Sequence, residues 1–159
     1  MKTLKTLKTL KTLKTEIEIA ASADYIWSVL MDFIAYPRWN PFITEITGSA
    51  VSGKRLYVTI TPPGAKAMVV KPKVLACDVN KQLVWKGSLF LPGVFDGEHT
   101  FEIMQHDGFC VFVQKEAFGG LLLPVFERWL LESTREGFKA MNQALKAEAE
   151  FRFQQSVCA

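Results

Sequence analysis

Cysteine and histidine are scarce in this chain, and neither has the spacing of a metal site. The three cysteines, Cys77, Cys110 and Cys158, are an odd number without a CxxC pair. This usage is typical of free thiols in a reducing compartment, so we predict a cytoplasmic protein without a disulfide framework. Because the only histidines are His99 and His106, a histidine-based metal site is not expected. No metal and no cofactor is predicted.

Long apolar runs are absent as well. No segment approaches the roughly 18 apolar residues of a transmembrane helix. The N-terminus is basic, but the continuous apolar region of a secretory signal does not follow it. Stable membrane insertion is therefore not predicted.

The chain also lacks the charge excess of a nucleic-acid-binding protein. Its formal net charge is +3, but five of its 19 basic residues lie within the first fifteen positions. Without these five, the basic residues are fewer than the 16 acidic ones. The composition thus argues against nucleic acid as a partner, and it leaves the oligomeric state open.

Aromatic residues, in contrast, are plentiful, at 12% of 159 residues, and they suit a large core or an apolar cavity. Residues 2–13 repeat the triplet KTL four times, a period that fits neither a helix nor a strand. We therefore predict a low-complexity, disordered tail at 1–14, one domain at 15–151 and a C-terminal tail at 152–159. A basic peptide on a membrane surface is the alternative for the first tail.

The order of the secondary structure follows from periodicity. Residues 15–20 alternate as a first strand, and two short helices follow, interrupted at Tyr36-Pro37. About six consecutive strands fill 43–118. A stripe of apolar residues at three- and four-residue steps then predicts a long helix from Pro124 to about residue 150.

The most informative stretch is the predicted hairpin at 94–118. Asp107-Gly108 between two alternating runs indicates a two-residue type I′ turn. With that turn, His99 lies opposite Glu116, and Phe101 lies opposite Gln114. These positions share a face with Ile103 and Phe112, so His99, Gln114 and Glu116 are predicted on the apolar side of the sheet.

The register of strand 83–89 against 94–104 has two possibilities. A tight Pro92-Gly93 turn would place Lys86 beside His99 on the core face. A loop one residue longer or shorter would turn Trp85 inward and Lys86 outward. The cost of burying an unpaired lysine favours the second register, and an internal Lys86–Glu116 ion pair is the alternative.

These elements predict an α+β fold: a curved, seven-stranded antiparallel sheet wrapped on a long C-terminal helix, with two short helices after strand 1. The sheet has one wet and one apolar face, so the long helix must cover the apolar face. A strongly curved sheet leaves a cavity beneath the helix. The small residues consistent with such a space are Gly87, Gly97, Gly119, Ser133 and Gly137.

Several short motifs in this order resemble one superfamily. They are AASADYIW (20–27), YPRWNPF (36–42), LVWKG (83–87), GEHTF (97–101) and EAFG (116–119). The chain resembles the helix-grip proteins of the START, polyketide cyclase/dehydrase and birch-pollen-allergen superfamily (SRPBCC) over about residues 15–150. The resemblance implies a hydrophobic or lipid-like ligand, without one common chemistry.

The candidate ligand-binding residues are largely aromatic and line the predicted space between sheet and helix. They are Trp39, Trp85, Phe95, His99, Phe101, Phe112, Gln114, Glu116, Phe118, Phe126, Trp129 and Ser133. Phe42 is a further aromatic residue that could line it.

His99 and Glu116 form the best chemical pair, since residues directly opposed on neighbouring strands lie within hydrogen-bonding reach. The pair could be purely structural, could orient a ligand, or could perform acid–base catalysis. No nucleophile accompanies it, because Cys110 lies six strand residues from the level of His99, roughly 20 Å away.

Three functions follow from these observations. The leading one is binding of a small hydrophobic molecule, oriented by His99, Gln114 and Glu116. The second is an enzyme of the polyketide cyclase or dehydratase type that uses His99 as acid or base. The third is a protein-interaction module with an incidental cavity. An open cavity near the 92–95 and 119–123 loops would support binding, whereas a filled core with an exposed apolar patch would support interaction.

Overall fold

The computed structural model describes residues 10–89 and 91–158, and it consists of antiparallel strands around a long C-terminal helix. The strands are β1 (Lys11–Ile19), β2 (Ile43–Gly48), β3 (Leu56–Ile60), β4 (Met68–Val70), β5 (Lys73–Asp78), β6 (Gln82–Leu89), β7 (Phe95–His106) and β8 (Phe109–Gly119). The helices are α1 (Ala23–Met31), α2 (Tyr36–Trp39) and α3 (Leu123–Val157), with a 3₁₀ turn at Phe33–Ala35 before α2.

The predicted fold class is confirmed, but the described residues form eight strands in two sheets instead of seven strands in one. The first sheet has the order β1-β8-β7-β6-β5, and the second has the order β2-β3-β4. The six strands predicted over 43–118 become seven, because β4 and β5 are separated at Pro72, which has no N–H for a strand ladder. A bridge between Arg55 and Lys73 joins the two sheets there.

The hairpin formed by β7 and β8 has the predicted register throughout. His99 pairs with Glu116, Phe101 with Gln114, and His106 with Phe109. The predicted turn type is wrong, however, because φ is positive at Gly108 (84°) and not at Asp107. A positive φ at the second central residue alone is the pattern of a type II turn, and Gly supplies it without steric cost.

The register of β6 against β7 is the one that keeps Lys86 out of the core. Trp85 pairs with His99 and is buried, while Lys86 pairs with Glu98 and is exposed. The connecting loop is longer than a tight Pro92-Gly93 turn, since the last strand pair is Leu89 with Phe95. An internal Lys86–Glu116 ion pair is thereby excluded.

Both predicted tail boundaries differ from the structure. β1 begins at Lys11, within the KTL repeat, because β8 is long enough to pair with it from Phe118 onward. Leu13 falls on the inward face with Ile17 and Ile19 and is 2% exposed. At the other end, α3 continues to Val157, through most of the segment predicted as a C-terminal tail. Residues 1–9 of the predicted disordered tail lie outside the described residues.

Candidate functional site

A cavity of about 340 Å³ lies between the sheets and the first half of α3. Its volume is within the range of small-molecule sites, about 300–1,000 Å³. Most of its lining is apolar, and much of it is aromatic. The lining residues are Phe42, Ile43, Ile60, Pro62, Met68, Val70, Pro72, Trp85, Gly87, Ser88, Leu89, Phe95, Gly97, His99, Glu116, Phe118, Leu122, Phe126, Trp129, Leu130, Ser133, Thr134 and Phe138.

The two halves of α3 differ in how they meet the rest of the molecule. In the second half, Phe138, Met141 and Leu145 are fully buried against the core. In the first half, no residue from 124 to 136 is buried. The side chains that this half turns toward the cavity remain accessible, with Phe126 48% and Trp129 53% exposed. The cavity therefore lies where the helix stands away from the sheet.

Two loops that bind each other lie beside the end of the cavity near β7 and α3. The amide of Leu121 donates to the carbonyl of Gly93 (3.0 Å), and the amide of Leu122 donates to the carbonyl of Val94 (3.1 Å). The carboxylate of Asp96 accepts hydrogen bonds from the Gly93 amide and from the Ser88 hydroxyl. The two loops thus form one hydrogen-bonded rim.

His99 and Glu116 form the polar centre of an otherwise apolar wall. His99 Nδ1 lies 2.6 Å from Glu116 Oε2, and the side chains are only 5% and 13% exposed. The His99 ring stacks on Trp85, with the ring centroids 5.1 Å apart and the planes at 19°. The edge contacts of the ring are to Phe101 and Phe138. The imidazole is therefore held in one orientation by its neighbours.

Two buried polar atoms of cavity-lining residues have no hydrogen-bond partner among the described residues. They are Nε2 of His99 and the hydroxyl oxygen of Ser133, and both atoms are buried. Buried polar atoms in proteins are nearly always paired with protein or water. His99 on the strand wall and Ser133 on the helix wall therefore each carry one buried polar atom without a partner among the described residues.

The sequence of residues 11–150 matches the family described as polyketide cyclase/dehydrase and lipid transport. The chain belongs to this family. The resemblance to the START and polyketide cyclase superfamily is thereby confirmed. No curated protein matches the chain in sequence.

Solved structures of polyketide cyclase and START proteins share the fold of this family member. The Zhui aromatase/cyclase from Streptomyces sp. R1128 superimposes with a TM-score of 0.75 at 16% identity, covering 91% of this chain and 96% of that one. A START superfamily protein from Mycobacterium smegmatis has a TM-score of 0.68 at 24% identity, with 91% and 97% covered.

A third similar structure is the di-domain aromatase/cyclase StfQ from the steffimycin biosynthetic pathway. Its TM-score is 0.73 at 13% identity, and the alignment covers 90% of this chain. The chain spans about half, 51%, of the length of StfQ. Identities this low show a shared helix-grip fold alone.

Eight of the twelve predicted ligand-binding residues line the cavity. They are Trp85, Phe95, His99, Glu116, Phe118, Phe126, Trp129 and Ser133. The other four, Trp39, Phe101, Phe112 and Gln114, lie elsewhere. Phe101 and Phe112 are 1% and 0% exposed and stack on each other in the core. Trp39 packs edge-on against Tyr36, and both residues belong to α2.

Gln114 is turned to α3 instead of the cavity, which corrects its predicted role in orienting a ligand. Its Nε2 donates to Asn142 Oδ1 (2.6 Å) and to the carbonyl of Phe138 (3.3 Å). Asn142 Nδ2 in turn donates to the hydroxyl of Thr15 on β1 (3.1 Å). These bonds connect β8, α3 and β1 below the cavity.

Several cavity residues were not predicted from the sequence. Phe138 is not among the candidate residues, and Phe42 is named there only as a possible lining residue. The others come mainly from the second sheet and its loops, including Ile60, Pro62, Met68 and Val70. Alternation marks the inward side of such strands, but it does not reveal that this sheet faces the first half of α3.

Other chemistries receive little support from the described residues. Cys77, Cys110 and Cys158 are free thiols. Burial raises the pKa of the Cys110 thiol, which disfavours the thiolate form that a nucleophile requires. Among residues 10–89 and 91–158, no group of three or more His, Cys, Asp and Glu side chains is placed to hold a metal ion. Within the same residues, none of the helices combines the length and apolar character needed to cross a membrane.

Proposed function

We propose that the protein binds a small, largely apolar molecule in the cavity between the sheets and α3. The observation that carries this proposal is the first half of α3, which spans the cavity without a single buried residue from 124 to 136. A cavity with an open wall supports binding better than it supports an interaction module with a filled core. The prediction of a cytoplasmic protein belongs to the same proposal and rests on its free cysteines.

The binding energy would come mainly from apolar burial. Phe126 and Trp129 are about half exposed, although both line the cavity. A ligand beneath these two rings would cover their inner faces, so that both the rings and the ligand lose contact with water. Each Å² of apolar surface buried in this way contributes roughly 25 cal/mol to the binding free energy. His99 and Glu116 add little apolar surface and so would contribute little to affinity. Their role would be to orient the bound molecule.

Native mass spectrometry of freshly purified protein tests the proposal by detecting a bound molecule directly. A titration with the uncharged fluorescent probe N-phenyl-1-naphthylamine tests it quantitatively. Ser133→Phe would fill the cavity from the helix side. It should lower the affinity for the probe about tenfold or more, a loss of about 1.4 kcal/mol in binding free energy.

The matched control is Glu136→Phe, which adds the same ring to the exposed side of the same helix, away from the cavity lining. It should leave probe affinity unchanged. Equal loss of affinity in both variants, or saturable binding that survives in Ser133→Phe, would place the probe outside the cavity and contradict the proposal.

A second candidate is acid–base catalysis on a polyketide-like substrate, and the His99–Glu116 pair favours it. A carboxylate that accepts from Nδ1 holds the imidazole in one orientation, as it does in many catalytic pairs. Replacing His99 by Gln should then abolish turnover while apolar probes still bind. Unchanged turnover and unchanged ligand affinity, with the fold intact, would remove His99 from both functions.

A further inference from the structure

One edge of the larger sheet is formed by β1, which pairs with β8 along one side only. In an antiparallel ladder, consecutive residues direct their N–H and C=O groups alternately to the two sides of the strand. The Glu18 carbonyl accepts from Lys146 Nζ (2.7 Å), and the Ala20 amide donates to Glu150 Oε1 (2.8 Å). Both bonds come from α3 and not from β8, so the even-numbered residues of β1 face the free edge.

Three residues of β1 have unpaired backbone groups on that side. Thr12, Lys14 and Glu16 direct their N–H and C=O groups to the free edge, where these groups have no hydrogen-bond partner among the described residues. At about 3.4 Å per residue, the unpaired stretch is roughly 17 Å long. An exposed strand edge of this kind is a template for pairing with another extended chain.

A groove of about 280 Å³ runs along this edge, between β1 and α3. From β1 it is lined by four consecutive residues, 14–17. Because side chains alternate between the two faces of a strand, four consecutive lining residues place the groove along the backbone edge. From α3 it is lined by Arg135, Lys139, Asn142 and Gln143, which share one side of the helix at three- and four-residue steps.

The groove is separate from the cavity, since the two share no lining residue. The hydrogen bond from Asn142 Nδ2 to the Thr15 hydroxyl (3.1 Å) joins helix and strand within the groove. Beyond its two ends, other side chains connect β1 to α3. Lys11 and Glu127 form an ion pair (3.1 Å) before the unpaired stretch, and Lys146 binds the Glu18 carbonyl after it. The edge is thus left open over a limited length.

The groove has an excess of positive charge. Its lining contains three cations, Lys14, Arg135 and Lys139, and one anion, Glu16. Lys14 pairs with Glu16, and Lys139 pairs with the exposed Glu136. Arg135 is exposed and has neither an ion-pair nor a hydrogen-bond partner among the described residues. The charge therefore favours an acidic occupant.

We propose that an extended, acidic peptide segment of a partner protein binds in this groove as an additional strand on the edge of β1. Its backbone pairs with the free N–H and C=O groups of Thr12, Lys14 and Glu16, the mode of binding known as strand addition. Acidic side chains at alternate positions of the segment face α3 and bind Arg135 and Lys139. This interaction does not depend on a ligand in the cavity.

The test uses a short fluorescein-labelled peptide of alternating Glu and Val residues, with fluorescence anisotropy as the readout. The neutral control peptide has Gln in place of Glu and should bind about tenfold more weakly. Two further peptides carry N-methyl groups on all Glu residues or on all Val residues. Successive N–H groups of a strand point to opposite sides, so one methylated peptide should lose binding by about tenfold or more, and the other should bind like the parent peptide.

A charge variant locates the binding. Arg135→Gln combined with Lys139→Gln should lower the affinity for the Glu-Val peptide by about tenfold, because two exposed ion pairs are lost. The matched control combines Arg128→Gln with Lys86→Gln, which removes the same charge from exposed residues outside the groove. It should leave the affinity unchanged. Neither variant changes a residue that lines the cavity, so N-phenyl-1-naphthylamine should bind both like the native protein.

The proposal is overturned if the two methylated peptides behave alike, because association by charge alone does not distinguish the two sides of a strand. It is also overturned if the control variant loses as much affinity as the groove variant. Absence of peptide binding overturns it as well, and analytical ultracentrifugation then shows whether a second copy of the chain occupies the edge.

Discussion

Gly97 gives the Glu116 carboxylate its place beside His99. It lies two residues before His99 on the same face of β7, and a Cβ atom there would overlap Glu116 Oε1. The obstructing atom is the end of a flexible side chain, so the backbone could remain in place while the carboxylate moves. At the scale of single residues, the polar centre of the cavity depends on the absence of one methyl group.

Gly97→Ala should therefore break the His99–Glu116 hydrogen bond without unfolding the protein. We expect the Nδ1 resonance of His99 to shift in a nitrogen-15 histidine spectrum. The unfolding free energy should fall by about 1.5–3 kcal/mol, the range for a hydrogen bond to a charged group. Gly87→Ala is the matched control, because Gly87 lies opposite Gly97 on β6 and the nearest atoms to its added Cβ would belong to Pro72. An unchanged Nδ1 resonance in Gly97→Ala would contradict the assignment.

Gln114 is predicted to matter for stability and not for ligand binding. Gln114→Leu removes the donor to Asn142 Oδ1 and leaves a buried amide oxygen unpaired, which should cost about 1–3 kcal/mol in urea denaturation. The affinity for N-phenyl-1-naphthylamine should stay the same, because Gln114 does not line the cavity.

Adding Asn142→Leu provides the control, since replacing both partners of a buried hydrogen bond by apolar groups can be nearly neutral. The double variant should recover part of the lost stability. A fall in probe affinity in Gln114→Leu, with the fold intact, would return Gln114 to the binding site.

At the scale of elements, α3 is attached to the sheet by its second half. Gly137 is buried where the ring of Phe42 packs against the helix, and a Cβ at residue 137 would overlap that ring. From the sequence, Gly137 was expected to leave room for a cavity. The room is instead filled by the ring of Phe42, which lines the cavity together with Phe138.

Gly137→Ala should destabilise the protein by about 1–3 kcal/mol through overpacking. The intrinsic helix preference points the other way, because Ala favours a helix over Gly by about 1 kcal/mol. The sign of the effect in urea denaturation therefore reports the contact with Phe42. In a protein that already carries Phe42→Leu, the overlap is removed, so adding Gly137→Ala should raise the unfolding free energy above that of Phe42→Leu alone. A stabilising effect of Gly137→Ala in the native background would show that the ring does not pack there.

Glu150 connects the C-terminal part of α3 to Ala20, the residue after β1, in a pH-dependent way. Its Oε1 accepts from the Ala20 amide (2.8 Å) and from Lys146 Nζ (2.8 Å). Burial alone would raise the pKa of Glu150, but the hydrogen bonds from Lys146 and Ala20 and the charge of Lys146 lower it below its ordinary 4.5. A lowered folded pKa means that the ionised form stabilises the fold at pH values above about 4.5.

Glu150→Gln should therefore cost about 1 kcal/mol at neutral pH. The difference from the native protein should shrink below pH 4.5 and vanish once the pH falls through the lowered folded pKa. Denaturation at several pH values measures this. Glu132→Gln, which breaks the exposed pair with Arg128, should change stability little at any pH. A difference between the Glu150→Gln and native proteins that grows on acidification would contradict the assignment.

At the scale of the whole molecule, the cavity makes the local stability of α3 differ between its two halves. Backbone amides in the first half lie above a space, whereas those in the second half lie above the core. Hydrogen exchange should accordingly be faster in residues 124–136 than in 138–150, since local opening requires little loss of buried surface.

Binding of N-phenyl-1-naphthylamine should reduce the difference in hydrogen-exchange rate between the two halves of α3. At a free probe concentration ten times the dissociation constant, exchange through openings that release the probe should slow by about tenfold in 124–136. Residues 138–150 should change little if they exchange by openings that leave the cavity intact. Slowing confined to the second half would indicate binding away from the cavity.

Local pattern in the sequence determined the elements of this protein and much of its strand pairing. The side-chain period of two and the Asp107-Gly108 turn were sufficient to place His99 opposite Glu116, because one register alone puts the apolar residues on one face. In the same way, the cost of burying Lys86 favoured the register of β6 against β7 that leaves this lysine exposed. The turn type was missed, since several backbone conformations accommodate Gly108.

Only the tertiary structure decided which inward residues meet the cavity. His99, Gln114 and Glu116 share one face, but Gln114 binds Asn142 beneath the second half of α3, while His99 lines the cavity under the first half. Periodicity identifies the side of a helix that faces a sheet. It does not give the distance between them, which depends on contacts between distant parts of the chain, such as Phe42 against Gly137. The distance between helix and sheet decides whether the space between them is a packed core or a cavity.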